Sequence, residues 1–402
     1  MSGVKGSKWF SLIDKVVRTD TLRLAWEKAA RNRGAAGVDG QSVEKFAAHA
    51  EKYLDELERD LKQGSYQPLP VKRVEIPKGS GQTRPLGIPA VKDRVVQTTL
   101  KRVIEPILER EFHETRYGFR PGRGCKDALR EVDRLLKAGH THVVDADLKG
   151  YFDSIPHDYL LRRVEERISD GRVLDLIRAY LSQDVMNGQE RWTPTGGTPQ
   201  GAVISPLLAN LYLHPLDILM AAKGYRMVRY ADDFVVLCRT AEESQAALAE
   251  VRVWVDGNGL TLHPDKTQVG DCREAGQGFE FLGYRFEAGR RCVRKKSLKA
   301  MKDKLRSKTC RTRAVSLKGI IAELNPILRG WFGYFKHAHK PVFKRLDGFI
   351  RRRLRALLRK RAKRPGFGRC HADHVRWPNG FFAEQGLFTL TGAHALASQS
   401  RC

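Results

Sequence analysis

Two adjacent acids, Asp232 and Asp233, sit in Arg229-Tyr230-Ala231-Asp232-Asp233-Phe234, between apolar runs rich in β-formers. A further acidic cluster lies upstream in Val143-Val144-Asp145-Ala146-Asp147-Leu148. Adjacent carboxylates repel each other, and burying them demands a counter-charge. Hard oxygen ligands of this kind suit Mg²⁺. A pair of such ions, roughly 3.5–4 Å apart, is the usual device for in-line phosphoryl displacement. These residue types point to nucleotidyl transfer. Taken alone, the acidic pair fits a surface turn equally well, and Asp145 and Asp147 fit ordinary packing better.

The elements around the acids give them a frame. Met227–Cys238 reads as a β-hairpin with the acids at its tip, and residues 142–148 read as a strand on which Asp145 and Asp147 share a face. Gly150-Tyr151-Phe152-Asp153 places aromatics just past that strand. An aromatic there can wall off the ribose 2′ position. Gly196-Gly197-Thr198-Pro199-Gln200-Gly201 is a flexible loop that opens a helix. Upstream, Leu22, Ala25, Trp26 and Ala29 mark a helix closed by Gly34. Phe46, Tyr53, Leu54, Leu57 and Leu61 mark a second, ending near Gly64. Residues 71–77 alternate like a strand, 78–81 read as a turn, and 84–89 continue extended. Helices are expected near 91–112, 126–138, 158–169, 172–182 and 241–255, and strands near 260–269 and 278–287. This mixture, without a strict βαβ rhythm, is an α+β pattern with an antiparallel central sheet.

After residue 295 the pattern turns helical, with stretches at 297–308, 314–338 and 340–363. A domain boundary is expected near 288–296. The formal net charge is +27 over 402 residues. Residues 285–364 carry 28 Lys and Arg against Glu287, Asp303, Glu323 and Asp347, so this stretch holds +24 and the rest of the chain only +3. A polyanionic partner follows, nucleic acid before membrane. Seven cysteines without a C-x-x-C pair read as reduced intracellular thiols. No apolar run is long enough for a membrane span.

Taken in order, the motifs resemble reverse transcriptases, specifically the group II intron-encoded reverse transcriptase/maturase family. Asn32-Arg33-Gly34-Ala35-Ala36-Gly37-Val38-Asp39-Gly40 is similar to the first fingers block. Ile76-Pro77-Lys78, Arg84-Pro85-Leu86-Gly87-Ile88-Pro89 and Asp93-Arg94-Val95-Val96-Gln97 resemble the second. Tyr117-Gly118-Phe119-Arg120-Pro121-Gly122-Arg123-Gly124 resembles the third, and Asp147-Leu148-Lys149-Gly150-Tyr151-Phe152-Asp153 the block with the first acid. Gly197-Thr198-Pro199-Gln200-Gly201 with Ser205-Pro206-Leu207-Leu208-Ala209-Asn210 follows. Tyr230-Ala231-Asp232-Asp233 comes next, then Asp265-Lys266-Thr267 and Phe281-Leu282-Gly283-Tyr284. One such block is weak; eight in order are specific. Leu324-Asn325-Pro326-Ile327-Leu328-Arg329-Gly330-Trp331 with Tyr334-Phe335 resembles the thumb, or maturase, domain.

The resemblance implies an α+β right-hand polymerase fold, with fingers and palm over 1–290, a helical basic thumb/maturase domain over 291–366 and a short tail over 367–402. It implies an RNA-directed DNA polymerase with a maturase role in splicing and intron mobility. Asp147, Asp232 and Asp233 would be catalytic and hold two Mg²⁺ ions, with Mn²⁺ able to substitute; Asp147 is favoured over Asp145 by its spacing to the aromatic pair. Lys78 and Arg84 would hold the incoming triphosphate, Phe152, favoured over Tyr151, would gate the ribose, and Gln200 and Gly201 would line the nucleotide and template path. Group II intron RNA, an RNA template with its DNA primer, and dNTPs are the implied partners. A cytoplasmic, nucleoid-associated bacterial protein is implied, with no membrane.

Arg351, Arg352, Arg353, Arg355, Arg359 and Lys360 are the nucleic-acid-binding candidates, by their charge density alone. The stripe Trp331, Tyr334, Phe335 reads as core rather than as a stacking surface. Longer family members carry an HNH endonuclease with Cys pairs; this pattern expects the short form. Cys370, His371 and His374 lack a fourth zinc ligand, and Trp377-Pro378-Asn379-Gly380-Phe381-Phe382 is expected to pack as a cap. Two alternatives stay open: an RNA-splicing factor that polymerises little, and a domesticated enzyme of the same chemistry serving repair or phage defence.

Overall fold

Leu22, Ala25 and Ala29 form the buried stripe of a helix over Thr19–Asn32 in the computed structural model, which describes residues 3–5, 8–79 and 82–399. Leu54, Leu57 and Leu61 do the same for Ala50–Gln63, which Gly64 ends in the left-handed conformation. Phe46, expected on that helix, lies instead on a separate short one, Val43–Ala47. Ser42 caps that turn by accepting a hydrogen bond from Lys45 N at 3.2 Å, and the chain bends at His49 before the longer helix begins. The chain divides into two compact units, Met1–His140 with Val144–Gln268, and Thr141–Val143 with Val269–Cys402.

In the first unit, Val71–Gly79 pairs antiparallel with Gln82–Ile88; the expected turn falls partly on 80–81, outside the described residues. The sequence pattern does not reveal a small hairpin, Val185–Asn187 with Glu190–Trp192, turned at Gly188-Gln189. Its first strand runs parallel to Val71–Gly79 and completes a four-stranded sheet. Three-residue strands are too short to show a period, although a Gly at the first loop position is itself a hairpin signal. Helix Val91–Glu109 runs through the core. Of its buried polar groups, Gln97 Oε1 accepts from Val203 N at 2.8 Å while Gln97 Nε2 finds no partner among the described residues, and Asp93 accepts from Tyr66 Oη at 2.5 Å and Leu69 N at 3.1 Å.

The central sheet places His142–Asp147 beside Asp233–Cys238, which pairs antiparallel with Arg226–Tyr230. Helix Ser205–Ala222 is apolar on nearly every face and largely buried, as such a composition requires. The strand expected over 260–269 is mostly absent. Leu262 makes one bridge to Leu148, and then Lys266 N and Thr267 N both turn back to His263 O. Pro264 cannot donate to a ladder, which favours the turn.

In the second unit, 278–287 is two strands, Phe279–Phe281 and Tyr284–Glu287, with Leu282-Gly283 turning between them at positive φ. Arg290–Val293 adds a third strand. Helices Lys295–Lys308, Leu317–Phe335 and Pro341–Arg361 follow. Phe335 packs on Tyr284 with ring centroids 5.0 Å apart, and Tyr284 Oη donates to Tyr334 O at 2.6 Å, so the aromatic stripe is packing. The tail, which shows little period, forms three short helices, His371–Arg376, Asn379–Glu384 and Leu390–Gln399. Phe382 is fully buried, and Asp347 accepts from Leu390 N and Thr391 N, both at 2.9 Å. Among the described residues no helix is long and apolar enough to cross a membrane.

Candidate active site

The hairpin that carries Asp232 and Asp233 closes with Tyr230 opposite Asp233. Ala231, at the tip, has φ +61°, a left-handed conformation that costs a residue with a Cβ roughly 1–2 kcal/mol. Its surroundings enforce it. Arg229 Nη1 donates to Ala231 O at 2.8 Å. Gly118 lies so close that a Cβ there would meet Ala231 N at 2.2 Å, so only glycine allows this approach. Asn210 Nδ2 donates to Gly118 O at 2.8 Å and fixes the glycine from the other side.

Arg229 is the centre of this clamp. It is fully buried and grips Asp217, also buried, through two contacts, with Nε to Oδ1 at 2.7 Å. Tyr117 N donates to Arg229 O at 2.8 Å, and Arg229 N donates to Thr115 O at 3.0 Å. Arg116 is equally buried and lies over the Phe112 ring at 3.3 Å. Burial, and then the like charge of Arg229, push its guanidinium down. Only Arg116 Nη1 finds an acceptor, Asn210 O at 3.2 Å; Nε and Nη2 have none among the described residues.

Asp147 ends its strand beside the strand that Asp233 begins. Its Oδ2 accepts from Lys266 Nζ at 2.6 Å, and its carbonyl accepts from His263 N at 2.7 Å. Asp232 is half-buried. Burial raises its carboxyl, and the negative charge of Asp147 adds to the push against the pull of Arg84 and Arg229. The fold thus brings Asp147 and Asp232 within electrostatic reach of each other. Among the described residues, no group of three or more His, Cys, Asp or Glu side chains is placed to hold a metal ion, Asp147, Asp232 and Asp233 included. The donor set still fits a divalent cation in kind. Its oxygens are hard, and one carboxylate is partly desolvated beside another of the same sign, an arrangement that a cation relieves.

On the other side of the acids, Arg84 is exposed and Arg84 Nε donates to Gln200 Oε1 at 2.5 Å. Gly87 N donates to Gln200 O at 2.6 Å. Gly201 has φ +112°, and a Cβ there would meet Gly87 O at 2.5 Å, so the loop can pass this strand only as glycine. Thr198 N donates to Phe152 O and Gly197 N to Ile155 O, both at 2.7 Å. The glycine-rich loop is thereby stitched between Gln82–Ile88 and the short helix Tyr151–Ser154. Tyr151 is buried and bonded to Ala209 O; Phe152 is buried against it, with centroids 5.5 Å apart. Lys78 lies on Val71–Gly79, but its side chain falls outside the described residues.

The basic helix Pro341–Arg361 uses its charges in two ways. Arg353 donates to Thr309 Oγ1 and Thr309 O, each at 2.9 Å. Arg355 is buried and donates to Trp377 O at 2.8 Å and Asn379 Oδ1 at 2.9 Å. Arg359 pairs with Asp373 at 2.7 Å, and Asp373 also accepts from Cys370 Sγ at 3.0 Å. These three arginines fasten the second unit together. Lys360 is exposed, and Arg351 and Arg352 are half-exposed. Sequence reasoning singles out neither Lys266 nor Arg229 and Asp217 as site residues. Lys266 has a signal in its Asp265-Lys266-Thr267 block. Arg229 and Asp217 have none, because 12 positions of chain separate the pair.

Comparison with known proteins gives a family. The model of the reverse transcriptase (RNA-dependent DNA polymerase) family matches residues 76–286, and that of the group II intron maturase-specific domain matches residues 298–375. Protein YkfC of Escherichia coli (strain K12) is 35% identical over 315 residues, covering 68% of this chain and 82% of that protein. An uncharacterized 91 kDa protein in the cob intron of Schizosaccharomyces pombe is 36% identical, covering 64% of this chain and 39% of that protein. The group II intron-encoded protein LtrA of Lactococcus lactis subsp. cremoris is 35% identical, covering 50% of this chain and 34% of that protein. The chain therefore spans most of the first relative but well under half of the other two.

Proposed function

Because the chain belongs to the reverse transcriptase (RNA-dependent DNA polymerase) family, we propose that it copies RNA into DNA at Asp147, Asp232 and Asp233. Reverse transcriptases of this family use divalent metal ions, and the maturase-specific domain brings with it the binding of intron RNA. The finer reading concerns this chain's own residues. Bound at the three acids, two Mg²⁺ ions, or Mn²⁺ in their place, would activate the primer 3′-hydroxyl and neutralise the leaving pyrophosphate. Arg84 places a fixed positive charge where the triphosphate of a dNTP gathers negative charge. Lys78, near the end of the same hairpin's first strand, serves the same end. Gln200, held by Arg84, and Gly201, pressed on Gly87, line the passage for nucleotide and template. Phe152, packed in place against Tyr151, bars a ribose 2′-hydroxyl.

The placement of Asp147 at the end of its strand, beside the strand that Asp233 begins, supports this reading: like-charged carboxylates so placed are costly without a cation and favourable with one. Fingers and palm occupy 1–290, the thumb/maturase domain 291–366 and the tail 367–402. Arg351, Arg352 and Lys360 are the better phosphate contacts of the six basic candidates, since Arg353, Arg355 and Arg359 already have protein partners. The partners are an RNA template paired with a DNA primer, dNTPs and structured intron RNA, met at the bacterial nucleoid in the cytoplasm. Primer extension on an RNA template, comparing the wild type with Asp232→Asn and Asp233→Asn, tests the assignment. Undiminished synthesis by either variant ends it.

A second reading, intron RNA binding for splicing with little polymerisation, draws on the maturase-domain match and on the Lys266 ammonium held against Asp147. Splicing that persists in the Asp232→Asn protein, together with a wild type that extends no primer, would favour it.

A further inference from the structure

A cleft of about 690 Å³ opens beside Gln200. Its floor is one face of the four-stranded sheet. Val71 stands opposite Val185, and Val185 opposite Trp192, so the three share a row across the strands. Arg73, two residues beyond Val71, points to the same face. Its guanidinium lies 5.7 Å from the Trp192 ring centroid, and its Nε donates to Glu75 Oε1 at 3.0 Å, which holds it there. Trp192 keeps 37% of its surface exposed although it sits on a paired strand. The loop from Thr193 to Gln200 forms one wall, and Asp153 and Ser154 line another. Thr198 also lines the cleft. It is only 2% exposed, yet its hydroxyl has no partner among the described residues.

We propose that this cleft seats an unpaired nucleobase of the template strand, stacked on Trp192. The proposal rests on the polymerase reading and deepens it. A flat, half-open indole backed by a guanidinium offers what a base face needs, and such stacking is indifferent to base identity. The lining argues against a phosphate seat. Arg73 is already neutralised by Glu75, and Asp153 brings a carboxyl of its own. The unpartnered Thr198 hydroxyl is a donor or acceptor for a base edge. Gln200 lines this cleft and also accepts from Arg84, so the cleft continues the path along which the template base being copied lies. The next unpaired base reaches Trp192.

The test uses the full chain and an RNA template annealed to a DNA primer, with 2-aminopurine at the unpaired template positions next to the primer end. Binding of wild-type protein is expected to change the 2-aminopurine fluorescence, and Trp192→Phe to preserve most of that change. Trp192→Ala is expected to abolish it and to weaken binding of the overhanging duplex about 10-fold. Binding of a flush duplex of the same primer should stay within about 2-fold, which stacking on unpaired bases alone explains. Fluorescence and affinity unchanged in Trp192→Ala would overturn the proposal. So would an equal loss on flush and overhanging duplexes, since that marks a damaged sheet and not a lost stack. The readout needs no synthesis, so failure of the polymerase reading would show separately, as a wild type that binds but does not extend.

Discussion

The acidic hairpin tip and the basic helix Pro341–Arg361 both stand out in the sequence as clusters of like charge, yet the protein treats them in opposite ways. At the tip, a nearby cation does structural work behind the acids: Arg229 holds the backbone of the turn through Ala231 O and is itself held by Asp217. On the helix, three of the five candidate arginines are drawn inward to carbonyls and to Asp373. Charge density along a chain thus reports total electrostatic content. Which charges face a ligand is decided by which ones find acceptors within the fold.

The largest expected effect separates the two regions outright. Asp232→Asn should lower primer extension on the order of 10³-fold, from several kcal/mol of lost metal-assisted stabilisation. No single substitution among Arg351, Arg352 and Lys360 should approach this, and one that did would erase the contrast. Next, Arg229→Met should cost about 3–5 kcal/mol in denaturant unfolding, because Asp217 is left charged, buried and alone. A loss below about 1 kcal/mol would show that the clamp is not the support described.

Asp93 sharpens the contrast as a buried acid held by a phenol and a backbone amide. Burial raises its carboxyl from 3.8 to about 6, against the hydrogen bond from Tyr66. Between those values the folded chain keeps a proton that the unfolded chain has released. Its contribution therefore favours the fold in acid and fades as pH rises through about 6, by about 3 kcal/mol in all. The difference in unfolding free energy between wild type and Asp93→Asn should slope across this window and flatten above it; a flat difference throughout contradicts the buried, proton-holding state.

The smallest effects divide the basic helix itself. Arg355→Ala should cost about 2 kcal/mol of stability, from its lost hydrogen bonds to Trp377 O and Asn379 Oδ1. Lys360→Ala should leave the unfolding midpoint alone while weakening RNA binding and reducing the salt slope by about 1. Reversed outcomes for these two would place the RNA face on the buried side of the helix.

Long periodic elements are legible in the residue pattern itself. Val91–Glu109 and Leu317–Phe335 each repeat an apolar face over several turns, and the hairpin around Asp232 shows as two apolar runs flanking the acids. Most of the strand expected at 260–269 does not form, because Pro264 and the bonds back to His263 O replace a ladder with a turn before the strand Gln268–Asp271 begins. The Val185–Trp192 hairpin escapes the pattern because its strands have three residues each, too few to show a period. Asp147, Asp232 and Asp233 can be named from type and order. Arg229 and Asp217 cannot, and Lys266, though it has a signal in its block, gives no hint of its pairing with Asp147, since their significance lies in partners elsewhere along the chain.

From residue types and spacing alone come the family, the three acids, the loop glycines and the concentration of positive charge after residue 285. These are local properties, carried by neighbours within a few positions. The tertiary structure alone decides that Lys266 meets Asp147, that Arg229 closes on Asp217 behind the turn, and that Arg355 points inward while Lys360 points out. A charge finds its partner by proximity in space, and burial sets how much that partner matters. Neither quantity is written in the order of the residues.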